Sequence, residues 1–266
     1  MSGEAMLERY AGPGLVPLQS RFWLSFSLAA RGDLDEAMAV AVEAHGAART
    51  VEHPYSFAFA EYALGRLHVE RGAFEAAVAA LERARALMER REIEHLRPAV
   101  EAWLGYALAR SGGIDEGLAL LRRAADAAAG LRRHGHGRMI TCLAESLLLA
   151  GCATEGVVWA ERGLDLTRRQ RERGHEAIAL GVLGTARAAL GDPAGAERCY
   201  HDALALAQTL GMRPVAAQCQ VGLGRLHAAR GHDAAAAEAF ARAAESFAAM
   251  RLPEWVDRVK VAAASA

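Results

Sequence analysis

Apolar, small and polar positions recur along this chain with a step of about 40 residues. A leucine stands at Leu24, Leu64, Leu104, Leu143, Leu183 and Leu223, followed each time by a small residue: Ser25, Gly65, Gly105, Ala144, Gly184 and Gly224. Seven residues further on come Gly32, Gly72, Gly112, Gly151, Gly191 and Gly231, separated by 40, 40, 39, 40 and 40 residues. Five residues later the chain is small again (Ala37, Ala77, Gly117, Gly156, Ala196, Ala236), as it is after seven more (Ala44, Ala84, Ala124, Gly163, Ala203, Ala243). Glycine makes up 26 of 266 residues, so this phasing arises by chance on the order of once in 10^5, and the chain is an internal repeat.

The pattern predicts a helical hairpin repeated six times. Around the phased glycines the text reads ARGDLDEA, ERGAFEAA, RSGGIDEG, LAGCATEG, ALGDPAGA and ARGHDAAA. One helix stops on glycine there and another starts on an acidic or small first turn. Small residues on both sides of the turn fall where the two helices cross and let their backbones approach, with the neighbouring leucine filling the adjoining groove. One 40-residue hairpin cannot bury its own apolar face, so stacked neighbours must share a core. The expected fold is all-α: a right-handed superhelical solenoid of six hairpins with a capping helix.

Residues 1–14, with Gly12, Pro13 and Gly14, read as a lead-in. A single solenoid over 15–266 follows, with repeats at about 15–53, 54–95, 96–134, 135–174, 175–212 and 213–251. Residues 252–262 read as a cap whose Trp255 and Val259 face the last repeat. First helices of about 16 residues and second helices of about 20 would run roughly 24 and 30 Å. Pro17, Pro54, Pro98 and Pro214 fall near first-helix starts, where a missing N–H costs little. The 39-residue interval, with Gly156 and Gly163 in the next second helix, marks repeat four as the expected soft point.

Composition agrees with packed helices: 53% hydrophobic and only 6% aromatic residues. No apolar run approaches the roughly 18 residues of a membrane span. A formal net charge of −1 gives the whole chain no preference for nucleic acid or an anionic membrane. Cys142, Cys152, Cys199 and Cys219 lack CxxC spacing and read as reduced, buried fillers in a cytoplasmic protein.

The Leu-Gly pairs, His68 and His227 three residues after the small site, the phased glycine, LDEA or FEAA, and then Tyr200 or Phe240 resemble the tetratricopeptide repeat. Its usual length is 34 residues; here the second helix is expected to take up the excess. The wording of ERYAGPGLVPLQSRFWLSFSLAARGDL, HPYSFAFAEYALGRLH, GHEAIALGVLGTA and LGMRPVAAQCQVGLGRLHAARG resembles the C-terminal tetratricopeptide region of large bacterial STAND- or AAA-type signalling ATPases. These often carry a class III adenylate/guanylate cyclase or a transcription-regulator domain. The resemblance covers nearly the whole chain and implies a sensor or interaction arm. No GxxxxGK[ST] loop and no cyclase-type metal-binding carboxylates occur in the sequence.

Residues two before and two after each core leucine turn away from their own hairpin, and in solenoids first helices line the concave binding face. Candidate partner-binding residues are therefore Phe22, Phe26, Tyr62, Arg66, Tyr106, Glu145 and Arg225, with Thr185 among the equivalents. Aromatics crowd the first three repeats and suggest an apolar groove, unless inter-repeat packing buries them. A second candidate is a basic edge where second helices turn into the next repeat: Arg132, Arg133, His134, His136 and Arg138, then Arg168, Arg169, Arg171 and Arg173. Arginine forks suit carboxylate or phosphate, although solvated loop charge is the competing reading. His134-Gly-His136 lacks a nearby acid or cysteine, so no metal is expected. No cofactor or catalytic motif is present, and His68 and His227 read as hydrogen-bonded packing residues.

Three functions remain open at this stage. The first is a protein-interaction and signal-sensing arm for a protein or peptide partner, such as an ATPase or cyclase domain of the same parent protein. The second is a solenoid that binds a small-molecule or peptide effector in its concave groove. A nucleic-acid-binding array is the weakest, because the arginines are not interleaved with aromatics.

Overall fold

The computed structural model describes residues 15–51, 53–128 and 135–265. Thirteen helices occur among them and no strand: α1 (Val16–Arg31), α2 (Leu34–Val51), α3 (Pro54–Arg71), α4 (Phe74–Arg90), α5 (Arg97–Arg110), α6 (Ile114–Ala128), α7 (His136–Leu149), α8 (Ala153–Gln170), α9 (Arg173–Ala189), α10 (Pro193–Thr209), α11 (Arg213–Ala229), α12 (Asp233–Ala249) and α13 (Pro253–Ala264). Each odd-numbered helix up to α11 packs on its successor, and successive odd-numbered helices pack side by side. The result is a superhelical solenoid. The second helices hold 15 to 18 residues and the first helices 14 to 18. The expected lengthening of the second helix is therefore shared by both.

The turn inside each hairpin follows from the phased glycines. All six have φ between +72° and +105°, a left-handed conformation that glycine adopts without a Cβ penalty. Beyond Gly32 and Gly72 the N–H groups of Asp33 and Ala73 donate back to the carbonyls of Leu28 and His68, both at 2.9 Å. The sequence did not advertise a second left-handed series between hairpins: Glu92 (φ 53°), Arg171 (58°), Gly211 (68°) and Arg251 (57°). Only one of these four is glycine. Prolines stand in the first two positions of α1, α3, α5, α10, α11 and α13, and Asp192 caps α10 by accepting from the Gly195 N–H at 2.8 Å.

The small residues are crossing points. A Cβ on Gly105 would stand 2.6 Å from the Gly117 carbonyl oxygen, and one on Gly184 would stand 2.9 Å from the Tyr200 ring and 3.2 Å from the Ala196 carbonyl oxygen. In the fourth hairpin a Cβ on Gly163 would meet the Thr141 hydroxyl at 2.8 Å, and one on Gly156 would meet Leu148 at 2.9 Å. Glycines that lower helix propensity there also allow α7 and α8 to approach. Leu104, Leu143, Leu183 and Leu223 are buried as expected, but Leu24 is 50% exposed. Cys142, Cys199 and Cys219 are buried; Cys152 is exposed, at the turn before α8.

The superhelix returns on itself, which the sequence did not suggest. At the far end, α13 stacks Trp255 on Phe247 (centroids 5.6 Å apart) and reaches back to the second hairpin. Trp255 Nε1 donates to the Glu70 carbonyl at 2.9 Å and Arg258 donates to the Gly72 carbonyl at 3.0 Å. Arg213, at the start of α11, likewise donates to the Arg31 carbonyl at 2.7 Å and pairs with Asp33. These acceptors belong to the last turns of α3 and α1, where helical carbonyls have no partner of their own and the dipole favours cations. Phe247, Met250, Leu252 and Val259 consequently join one apolar cluster with Phe22, Phe59 and Trp103.

Three outcomes check this construction. Gly184→Val is expected to overpack the α9/α10 crossing and cost roughly 1 to 3 kcal/mol; a melting temperature at or above the parent's would refute the crossing. Arg171→Gly is expected to leave stability unchanged or raise it by up to about 1 kcal/mol, since an L side chain in the left-handed region costs about that much; a clear loss in urea denaturation would mean that the Arg171 side chain stabilises the fold. Trp255→Ala removes a stacked ring and a hydrogen bond across the closure. It is expected to cost roughly 2 to 4 kcal/mol and to raise the radius of gyration in small-angle scattering, whereas an unchanged radius would show that closure does not depend on α13.

Candidate functional site

Closure turns the concave face into an interior channel. The first helices α1, α3, α5, α7, α9 and α11 supply its wall, and α13 borders one end. It contains two adjoining cavities of about 440 Å³ and 270 Å³ that share Glu70, Arg138, Ile178 and Val215. The positions two residues after the core leucines face it: Tyr106, Glu145, Thr185 and Arg225 line the larger cavity, and Arg66 with Phe26 the smaller.

The aromatic end is not an open groove. Phe22 is fully buried with its ring 5.5 Å from Phe59, so it is a core residue rather than a lining one. Phe26 meets Tyr62 edge-on at 6.2 Å, and the Arg66 guanidinium lies over Phe26 (4.1 Å) and Trp103 (5.1 Å). The rings fill the space between the first three repeats with one another, which leaves the open volume to the arginine-rich middle.

That middle is a polar network in a buried setting. Arg138 donates to Glu145 and to Cys142 Sγ, both at 3.0 Å. Glu145 also accepts from the Tyr106 hydroxyl at 2.6 Å, and the Tyr106 oxygen accepts from Arg110 at 3.0 Å. Burial pushes the Tyr106 phenol above its ordinary value, so it remains a neutral donor. Burial also drives Cys142 and Cys219 up to about 12, keeping both thiols protonated and unreactive. Burial lowers His175 against the opposing pull of Glu172; its Nδ1 lies 2.9 Å from that carboxylate, which also accepts from the Gly135 N–H at 2.8 Å.

The basic edge is not assembled as the sequence suggested. Arg132, Arg133 and His134 lie outside the described residues. His136 and Arg138 are buried: both belong to α7, and Arg138 borders the channel beside Glu145. Arg168 pairs with Glu176 at 2.9 Å and Arg169 with Asp165 at 2.8 Å. Arg171 is exposed at the left-handed turn, and Arg173 borders the smaller cavity. His68 and His227 occupy equivalent sites, but the buried Nδ1 of each has no hydrogen-bond partner. Sequence reasoning missed Arg110 and Arg258. The first lies four residues after Tyr106 and so continues its helix face; the second sits in a cap whose long reach has no local signature.

No family model matches the chain, and no curated protein matches it. Solved structures do. The chain is similar to a Rap protein complexed with Competence and Sporulation Factor, at 16% identity over 91% of this chain and 78% of that one, TM-score 0.64. It is similar to NprR in complex with its cognate peptide NprX, at 11% identity over 92% and 71%, TM-score 0.70. It is also similar to the Signal Transduction ATPase with Numerous Domains (STAND) protein with a tetratricopeptide repeat sensor from Pyrococcus horikoshii, at 15% identity over 86% of this chain, TM-score 0.62, where it spans about a third (34%) of that protein. The fold is that of the tetratricopeptide-like helical-repeat solenoids.

Proposed function

We propose that the chain is a non-catalytic sensing module that takes a peptide or small effector into its interior channel and passes the binding on to a protein partner. On this reading it is the sensor arm of a bacterial signalling ATPase or cyclase. One observation carries the proposal: a closed superhelix holds an interior cavity of about 440 Å³, of the size ligand sites occupy, with the polar groups of Tyr106, Arg138, Glu145 and Thr185 converging on it. The fold it shares with the Rap and NprR complexes, whose structures hold a signalling factor and a cognate peptide, supports the same reading. A nucleic-acid surface is disfavoured by the pairing of Arg168 and Arg169 and by the inward course of Arg138.

Gly181 provides the test. It lies on the channel wall of α9, and a Cβ there would find only Cys219 Sγ, at 3.8 Å. Gly181→Leu therefore fills the channel while improving helix propensity. Affinity selection from a pooled library of short peptides, read by mass spectrometry, is expected to recover ligands with the parent protein and to lose them at least tenfold with the variant, at unchanged thermal stability. Equal recovery by both proteins would place binding on the outer face.

A further inference from the structure

We propose that the α13 end of the channel is an anion subsite in which Arg110, Arg225 and Arg258 take a carboxylate or phosphate group of the channel ligand; the inference rests on the channel being the binding site. All three arginines border the larger cavity, and among the described residues none of them forms an ion pair. Arg110 donates to a phenol oxygen, and Arg258 to the main-chain carbonyls of Gly72 (3.0 Å) and Glu254 (3.3 Å). Among the described residues Arg225 makes no hydrogen bond or ion pair, and its exposed side chain borders the cavity.

Their arrangement is held from the apolar side. The guanidinium carbons of Arg110 and Arg258 both lie 4.7 Å from the Phe74 ring centre, and 5.6 and 5.2 Å from that of Trp255. Aromatic faces orient a guanidinium but bring no net charge to cancel it. Two cations thus share the same pair of rings. Burial, with the Arg110 charge second, holds Arg258 below the ordinary arginine range against the opposing pull of Glu254, Glu75 and Tyr106, while burial of Arg110 is outweighed by Tyr106 and Glu145, which hold it above that range.

Carboxylates do approach the three arginines, but among the described residues none forms an ion pair with them. Glu145 is bound by Arg138 and the Tyr106 hydroxyl. Glu70 acts on Arg138, further along the wall. Glu254 and Asp257 line a recess together with Arg225 and Arg258; Asp257 is bonded to Lys260 at 2.9 Å, and Glu254 and Glu75 act on Arg258 without pairing with it. An arriving oxyanion would find three arginines bordering one cavity, Arg110 and Arg258 partly withdrawn from water against the Phe74 and Trp255 rings, where charge-assisted hydrogen bonds gain strength. Ile178, Val182, Val221 and Phe247 on the same cavity wall suit an apolar body behind the anionic head.

Titration calorimetry of the full chain with inorganic pyrophosphate and with citrate, at physiological salt, tests the subsite apart from any peptide. Saturable one-to-one binding of at least one anion is expected, weakened tenfold or more by Arg225→Gln, which removes a side chain with no hydrogen bond or ion pair among the described residues. Arg198→Gln, an exposed change on α10 away from the cavity, is expected to leave it within twofold. The tighter anion names the source, phosphate or carboxylate. No saturable binding of either, or equal losses in the two variants, overturns the subsite. Peptide capture that is blocked by Gly181→Leu without anion binding would leave the channel reading intact and remove the subsite alone.

Discussion

The rest of this structure depends on one long-range interaction: the capping of helical carbonyls at the ends of α1 and α3 by side chains that follow some 180 residues later. In an open solenoid each repeat touches only its neighbours, and stability is a sum of local terms. Here the first and second hairpins also answer to α11 and α13. The contributions are unequal. Arg213 is half exposed, so its pair with Asp33 falls among surface ion pairs worth about 0 to 1 kcal/mol. Trp255 and Arg258 act beside stacked aromatic rings and partly out of water, where a hydrogen bond is worth more and an unmade one costs more.

Most of the fold could be read from the sequence because its period is carried by sterics. A glycine at each inner turn is required by positive φ, and small residues at the crossings are required by backbones that meet within a Cβ's reach; both constraints leave a fixed-phase signature. The outer turns carry the same left-handed conformation at Glu92, Arg171 and Arg251 but tolerate a side chain at a cost near 1 kcal/mol, which is too weak to force glycine. The turn recurs without any letter to mark it. Closure is invisible for a different reason. It depends on small rotations between hairpins that add up over the array, and no single residue encodes their sum.

The candidate site divides along the same line. Tyr106, Glu145, Thr185 and Arg225 face the channel because helix periodicity turns positions two away from a core leucine outward from their own hairpin, and that argument is local. The aromatic groove expected from Phe22, Phe26 and Tyr62 is filled because repeats one to three stack closely enough for these rings to pack on Phe59 and Trp103, with Arg66 laid across them. In the sequence, the high arginine count around Arg138 places it on a loop edge. In the structure it belongs to α7 and borders the channel beside Glu145.

Arg258 belongs to both halves of the molecule. Its guanidinium bonds the Gly72 carbonyl that holds the ring closed, and it also borders the larger cavity. A group that binds the closed array through Arg258 therefore acts on closure by mass action, in proportion to RT ln(1 + [L]/Kd), or about 2.7 kcal/mol at a hundredfold excess over Kd. That is comparable to the worth of the α13 contacts themselves. On the proposed reading, a ligand held in the channel and the packing of α13 on the second hairpin are thus linked through one side chain, without a relay through the intervening repeats. Linkage of this kind is reciprocal: anything that stabilised α13 against the second hairpin would tighten such a ligand by the same factor.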